Sequence, residues 1–144
     1  PGLDDSAITI YDPWSDLLLT GNTFYPGRLV IRDFDAYRES LQRLVQLAQE
    51  EPISHIFGGR IEMTNRPGLD HRLRSNYRPG EHSLQLGPGL LETALQAVNL
   101  INGETDIRTL DDFILMNGVG IDQKQKQYLS SIHRYWSVVV YQGI

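Results

Sequence analysis

Residues able to do chemistry are sparse in this sequence and fall in a few short stretches. Asp4 and Asp5 stand side by side, and a carboxylate pair can divide acid and base roles when one group raises the pKa of the other. Adjacent residues ordinarily point apart, so isolated surface carboxylates are the plainer expectation. Tyr25 and Arg28 share the segment after Gly21, where a guanidinium fork can take a carboxylate or phosphate; pinning the loop is the plainer role. Arg60 follows Gly58-Gly59 and reads otherwise as a surface arginine past a strand end. The four histidines, His55, His71, His82 and His133, form no close ligand pair, whereas a zinc site needs at least three protein donors around one point. His55, beside apolar residues, reads as a structural histidine. Arg66, Arg72, Arg74 and Arg78 make one stretch locally basic, which fits a solvated loop better than nucleic-acid contact. No cysteine is present, which removes disulfides, thiolate metal sites and a thiol nucleophile.

The composition fits one soluble domain. Of 144 residues, 40% are hydrophobic and 22% charged, too short a chain for two full domains. A net charge of -5 argues against a general nucleic-acid binder, which must neutralise phosphates. No apolar run approaches the roughly 20 residues that span a bilayer, and no basic-then-apolar leader opens the chain. A cytoplasmic protein with neither nucleic-acid nor membrane partner is expected. The sequence starts at Pro1-Gly2 without an initiator methionine, which is consistent with loss of upstream residues.

Strands and helices must position these groups. Alternation from Ser6 to Tyr11, the turn residues Asp12-Pro13 and the apolar run Leu17-Leu18-Leu19 before Gly21 predict a hairpin. A loop follows from Asn22 to Arg28. Asp33 can cap a helix in which Phe34, Tyr37, Leu41, Leu44, Val45 and Ala48 recur at three and four, ended by Pro52. Ile53 to Gly58 reads as a strand, and Thr64 to Gly80, without periodicity, as a long loop. A second helix is predicted from Pro88, with Leu90, Leu91, Ala94, Leu95, Val98 and Ile101 as its stripe and Asn102-Gly103 as its stop. Phe113 to Met116 is a brief strand. Asp122 then caps a segment in which Tyr128, Leu129, Ile132, Tyr135 and Trp136 can share a helix face.

Read continuously, Pro1-Gly2-Leu3-Asp4-Asp5-Ser6, the hairpin, Leu19-Thr20-Gly21-Asn22-Thr23-Phe24 and Ser54-His55-Ile56-Phe57-Gly58-Gly59-Arg60 resemble the C-terminal half of a metallo-β-lactamase-fold hydrolase. The likeness extends through Glu62-Met63-Thr64 to Asp111-Asp112-Phe113-Ile114. In that family a Pro-Gly-His, a Gly-Asp and a Gly-His supply metal ligands, and the corresponding positions here hold Leu3, Asn22 and Arg60. The other family ligands come from a His-x-His-x-Asp-His motif that is missing from this sequence. Leu3 has no lone pair, Asn22 is a weak neutral donor, and Arg60 is a permanent cation. The resemblance therefore implies a degenerate metal site with no cofactor expected, although zinc belongs to the family. It also implies that the Arg60 guanidinium takes the place of a metal and neutralises Asp4 or Asp5.

The implied fold class is α+β, half of an αββα sandwich: one mixed sheet with helices on one face. Residues 1–118 form the metallo-β-lactamase-like half domain and 119–144 a C-terminal extension expected to be helical. The second sheet face needs a cover, because a few hundred Å² of apolar surface at ~25 cal/mol per Å² represents on the order of 10 kcal/mol. A second copy of the chain, a missing N-terminal half and the segment from Gly120 to Ile144 are the candidates. The expected function is non-catalytic, in assembly or in ligand or partner binding. The candidate binding residues are Asp4, Asp5, Tyr25, Arg28 and Arg60, and no catalytic residue is assigned. The rival expectation is a residual metal-dependent hydrolase of an ester, thioester or lactone, completed by an N-terminal half.

Overall fold

In a computed structural model that describes residues 1–119, the chain is an α+β protein of two helices and two mixed sheets. The hairpin is present, with β1 at Ile10–Asp12 and β2 at Leu17–Gly21. Its first strand starts later than the alternation from Ser6 implies, because the Asp4 carboxylate accepts the Ser6 N–H and hydroxyl and folds that segment into a turn. Next come β3 at Arg28–Ile31, α1 at Phe34–Glu50, β4 at His55–Gly58 and β5 at Gln85–Leu86. The described chain is completed by α2 at Gly89–Ile101, β6 at Asp106–Thr109 and β7 at Ile114–Asn117.

The expectation of one mixed sheet is corrected. One sheet has the order β1-β2-β4-β5 and a separate one the order β3-β7-β6. Three of these strands, β3, β5 and β6, were not legible in the sequence. Each is short, and β3 gains its ladder from a parallel pairing with the distant β7, Leu29 opposite Leu115. The Thr64 to Gly80 loop is also less free than expected, since bridges Met63 to Asp70 and Thr64 to Glu81 fold it back on itself. The Asp122 cap, the Tyr128 to Trp136 stripe, His133 and the extension from Gly120 lie outside the described residues.

Both helices follow their sequence signals. The Asp33 side chain accepts the Ala36 N–H at 3.0 Å and caps α1, satisfying a donor that helix geometry leaves orphaned. Tyr37, Leu41, Leu44 and Val45 form its buried stripe. At the end of α2, Asn102 adopts the left-handed conformation, φ 51°, as a helix-terminating residue does. The two helices pack together over the inner sheet faces. In the four-stranded sheet the row Tyr11, Leu18, Ile56, Leu86 faces this core; in the three-stranded sheet Leu29, Ile31 and Leu115 do.

The opposite faces differ. The row Ile10, Leu19, Phe57 runs across the outside of the four-stranded sheet, and Ile10 and Leu19 are 52% and 41% exposed. On the three-stranded sheet the corresponding row Val30, Met116, Ile107 is covered by Met63 and Val119 in a second apolar cluster.

Candidate functional site

A cleft of about 190 Å³ opens where the N-terminal segment, the loop after β2 and the loop after β4 meet beside β3. Leu3, Asp4, Asn22, Tyr25, Arg28 and Arg60, all singled out in the sequence, line it. Val30, Arg32 and Glu62 complete its wall. Asp5 is not among these residues and is exposed, so Asp4 and Asp5 do not act as a carboxylate pair.

The local backbone explains the convergence. Gly2, at φ +100°, docks on the start of α1, where its carbonyl accepts the Arg32 and Asp33 N–H groups at 2.8 and 3.1 Å. A Cβ there would lie 2.5 Å from Tyr37 backbone atoms, so only glycine lets Leu3 and Asp4 reach the cleft. At the end of β4, Gly58 passes directly over the Tyr25 backbone and Cβ with no room for a side chain of its own. That close approach sets Arg60 beside Tyr25.

The floor of the cleft is an internally satisfied ion cluster. Arg28 is 6% exposed. Its Nε donates to Asp70 Oδ2 at 2.6 Å, its Nη2 to the His71 carbonyl, and its Nη1 lies 3.7 Å from Glu62 Oε2. That same Glu62 oxygen accepts the Arg28 backbone N–H at 2.8 Å. The Tyr25 hydroxyl donates to the Arg28 carbonyl at 2.8 Å, and burial pushes this phenol up to about 12, Glu62 adding to the shift and the Arg60 and Arg28 cations opposing it. Of the two roles weighed for Tyr25 and Arg28, receiving an anionic ligand and pinning the loop, these contacts serve the second. Their polar groups point into the protein, and the plainer role of pinning the loop is the one they fill.

The rim is looser. Arg60 donates from Nη2 to Asn22 Oδ1 at 3.0 Å, and its guanidinium carbon lies 5.2 Å from the Tyr25 ring centre, a cation–π distance. Asn22 Nδ2 in turn approaches Asp4 Oδ2 at 3.4 Å. The direct neutralisation of Asp4 or Asp5 by Arg60 is thus replaced by a relay through the Asn22 amide. The Ser6 hydroxyl holds the Asp4 carboxyl below its usual range, with further help from the Ser6 N–H, Asn22 and, at longer range, Arg32. Sequence reasoning missed Arg32 and Glu62; Glu62 sits inside the quoted Glu62-Met63-Thr64, and Arg32 directly precedes the helix cap Asp33.

These residues do not fit a metal. Leu3 offers no donor, the Asn22 oxygen is taken by Arg60, and the guanidinium adds a permanent positive charge beside that oxygen. Among the described residues no group of three His, Cys, Asp or Glu side chains is placed to hold a metal ion. Two described histidines lie outside the cleft: His55 Nδ1 faces Ser54 Oγ at 3.2 Å, and His82 bridges the Ser83 carbonyl and Asp112 at 2.7 and 3.0 Å. No helix among the described residues is long and apolar enough to cross a membrane.

No protein-family profile, no curated protein and no solved structure matches the chain.

Proposed function

We propose that the chain is a non-catalytic relative of the metallo-β-lactamase fold, whose cleft binds a ligand in place of a metal and whose open sheet face takes part in assembly. The observation that carries this reading is the meeting of Leu3, Asn22 and Arg60, from three separated segments, on one cleft. These are the positions at which the resemblance places metal ligands, and their donor chemistry is wrong for a cation. A hydrocarbon, an amide and a guanidinium leave a preformed concavity without the means to activate water. The exposed apolar pair Ile10 and Leu19 supports the second half of the reading, because contiguous apolar surface on a sheet marks an interaction site.

Metal analysis after exposure to zinc and desalting tests the proposal, with a triple variant carrying Leu3→His, Asn22→Asp and Arg60→His for comparison. The unaltered chain is expected to retain less than stoichiometric zinc and to leave a generic ester intact. Stoichiometric zinc together with ester hydrolysis by the unaltered chain would sink the proposal in favour of a metal-dependent hydrolase. Sedimentation velocity on the same samples reads the assembly half: a dimer or larger species is expected at micromolar concentration, and a stable monomer removes self-association.

A further inference from the structure

Hydrogen-bond donors outnumber free acceptors in the cleft. Every carboxylate along it is engaged: Glu62 by the Arg28 backbone and guanidinium, and Asp4 by Ser6 and Asn22. Asp70, behind Arg28, accepts its Nε. By contrast, neither Arg60 nor Arg32 has a carboxylate within ion-pairing distance among the described residues. A guanidinium carries five N–H groups, and Arg60 directs one of its nitrogens to Asn22. Both side chains are exposed at the cleft, so their remaining donors can reach a guest. The nearer wall is apolar, with Leu3 buried and Val30 half-buried.

We propose that this cleft binds a small organic carboxylate, its oxygens received by Arg60 and Arg32 and its apolar body laid against Leu3 and Val30. The inference rests on the reading of the cleft as a ligand site rather than a metal centre. A volume of about 190 Å³ is several times the ~30 Å³ that a water takes up in the liquid, room enough for a guest the size of benzoate. Charge-assisted, forked hydrogen bonds are the natural match of guanidinium to carboxylate. A guanidinium fork receives phosphate as well, but inorganic phosphate has no apolar body to lay against Leu3 and Val30, and the added N–H groups of a helix N-terminus, which favour phosphate, are not on offer. Here the neighbouring terminus, that of α1, is closed by its own Asp33 carboxylate.

Isothermal titration of the full chain with sodium benzoate at low ionic strength tests this, with sodium phosphate as the second probe. One saturable benzoate site is expected, weakened about tenfold or more by Arg60→Gln and by Arg32→Gln, as loss of a charged hydrogen bond implies. Both substituted side chains are exposed, so circular dichroism of the variants is expected to match the unaltered chain. Three results overturn the proposal: no saturable benzoate binding, affinity that neither arginine substitution changes, or phosphate binding as tight as benzoate. Stoichiometric zinc in the metal analysis would instead defeat the underlying reading, whereas a zinc-free chain that ignores benzoate defeats this inference alone.

Discussion

The floor and the rim of the cleft each carry arginine, yet the two regions obey different physics. On the floor, Arg28 is buried and its guanidinium is met by Asp70, the His71 carbonyl and Glu62. At the rim, Arg60 is exposed and is held by an amide and an aromatic face. A buried charge is tolerated only with matched partners, because desolvation otherwise costs several kcal/mol. An exposed one keeps its water and leaves its donors free for a guest. The difference separates a residue that holds the cleft in shape from one that is available to use it.

The comparison can be broken most severely at the floor. Arg28→Met would strand the Glu62 and Asp70 carboxylates in a partly buried place, and it is expected to lower unfolding free energy by about 3–5 kcal/mol in urea denaturation. A loss below about 1 kcal/mol would mean that the floor is no better paired than a surface ion pair. Next in size is Gly2→Ala, which must relieve a 2.5 Å contact with the Tyr37 backbone at a positive φ. A loss on the order of 1–3 kcal/mol is expected, together with displacement of the Leu3 and Asp4 amide resonances in NMR. Unshifted resonances would show that the N-terminal segment does not depend on glycine for its docking. The smallest effect belongs to the rim. Arg60→Gln is expected to change stability by no more than about 0.5 kcal/mol, and a loss as large as that at Arg28 would erase the distinction between the regions.

Legibility in the sequence followed the range of the interactions involved. The α1 and α2 helices were readable because cap, stripe and stop lie within one local window: Asp33 with Tyr37, Leu41 and Leu44, and Leu91 to Ile101 before Asn102. The hairpin was readable for the same reason. The short β3 was not read at all, since nothing local in Arg28-Leu29-Val30-Ile31 reveals that β7 lies alongside it. Of the residues picked from the sequence as replaced ligands or cleft groups, Leu3, Asp4, Asn22, Tyr25, Arg28 and Arg60 share one cleft and Asp5 does not. The roles within it were not readable. Arg28 was weighed as a ligand contact or, more plainly, a loop pin, and its partners Asp70 and Glu62 could not be named because their proximity depends on the chain folding back after β4.

Composition and pattern alone determined the two helices, the hairpin, the lack of cysteine chemistry and the poverty of metal donors at Leu3, Asn22 and Arg60, because each is a property of residue type or of near neighbours. Tertiary structure alone decided that the strands divide into two sheets and that, among the described residues, one outer face is covered while Ile10 and Leu19 on the other are exposed. It also decided which arginine is neutralised. Burial and charge pairing are set by residues far apart in the chain, and their energies exist only once the backbone has brought those residues together.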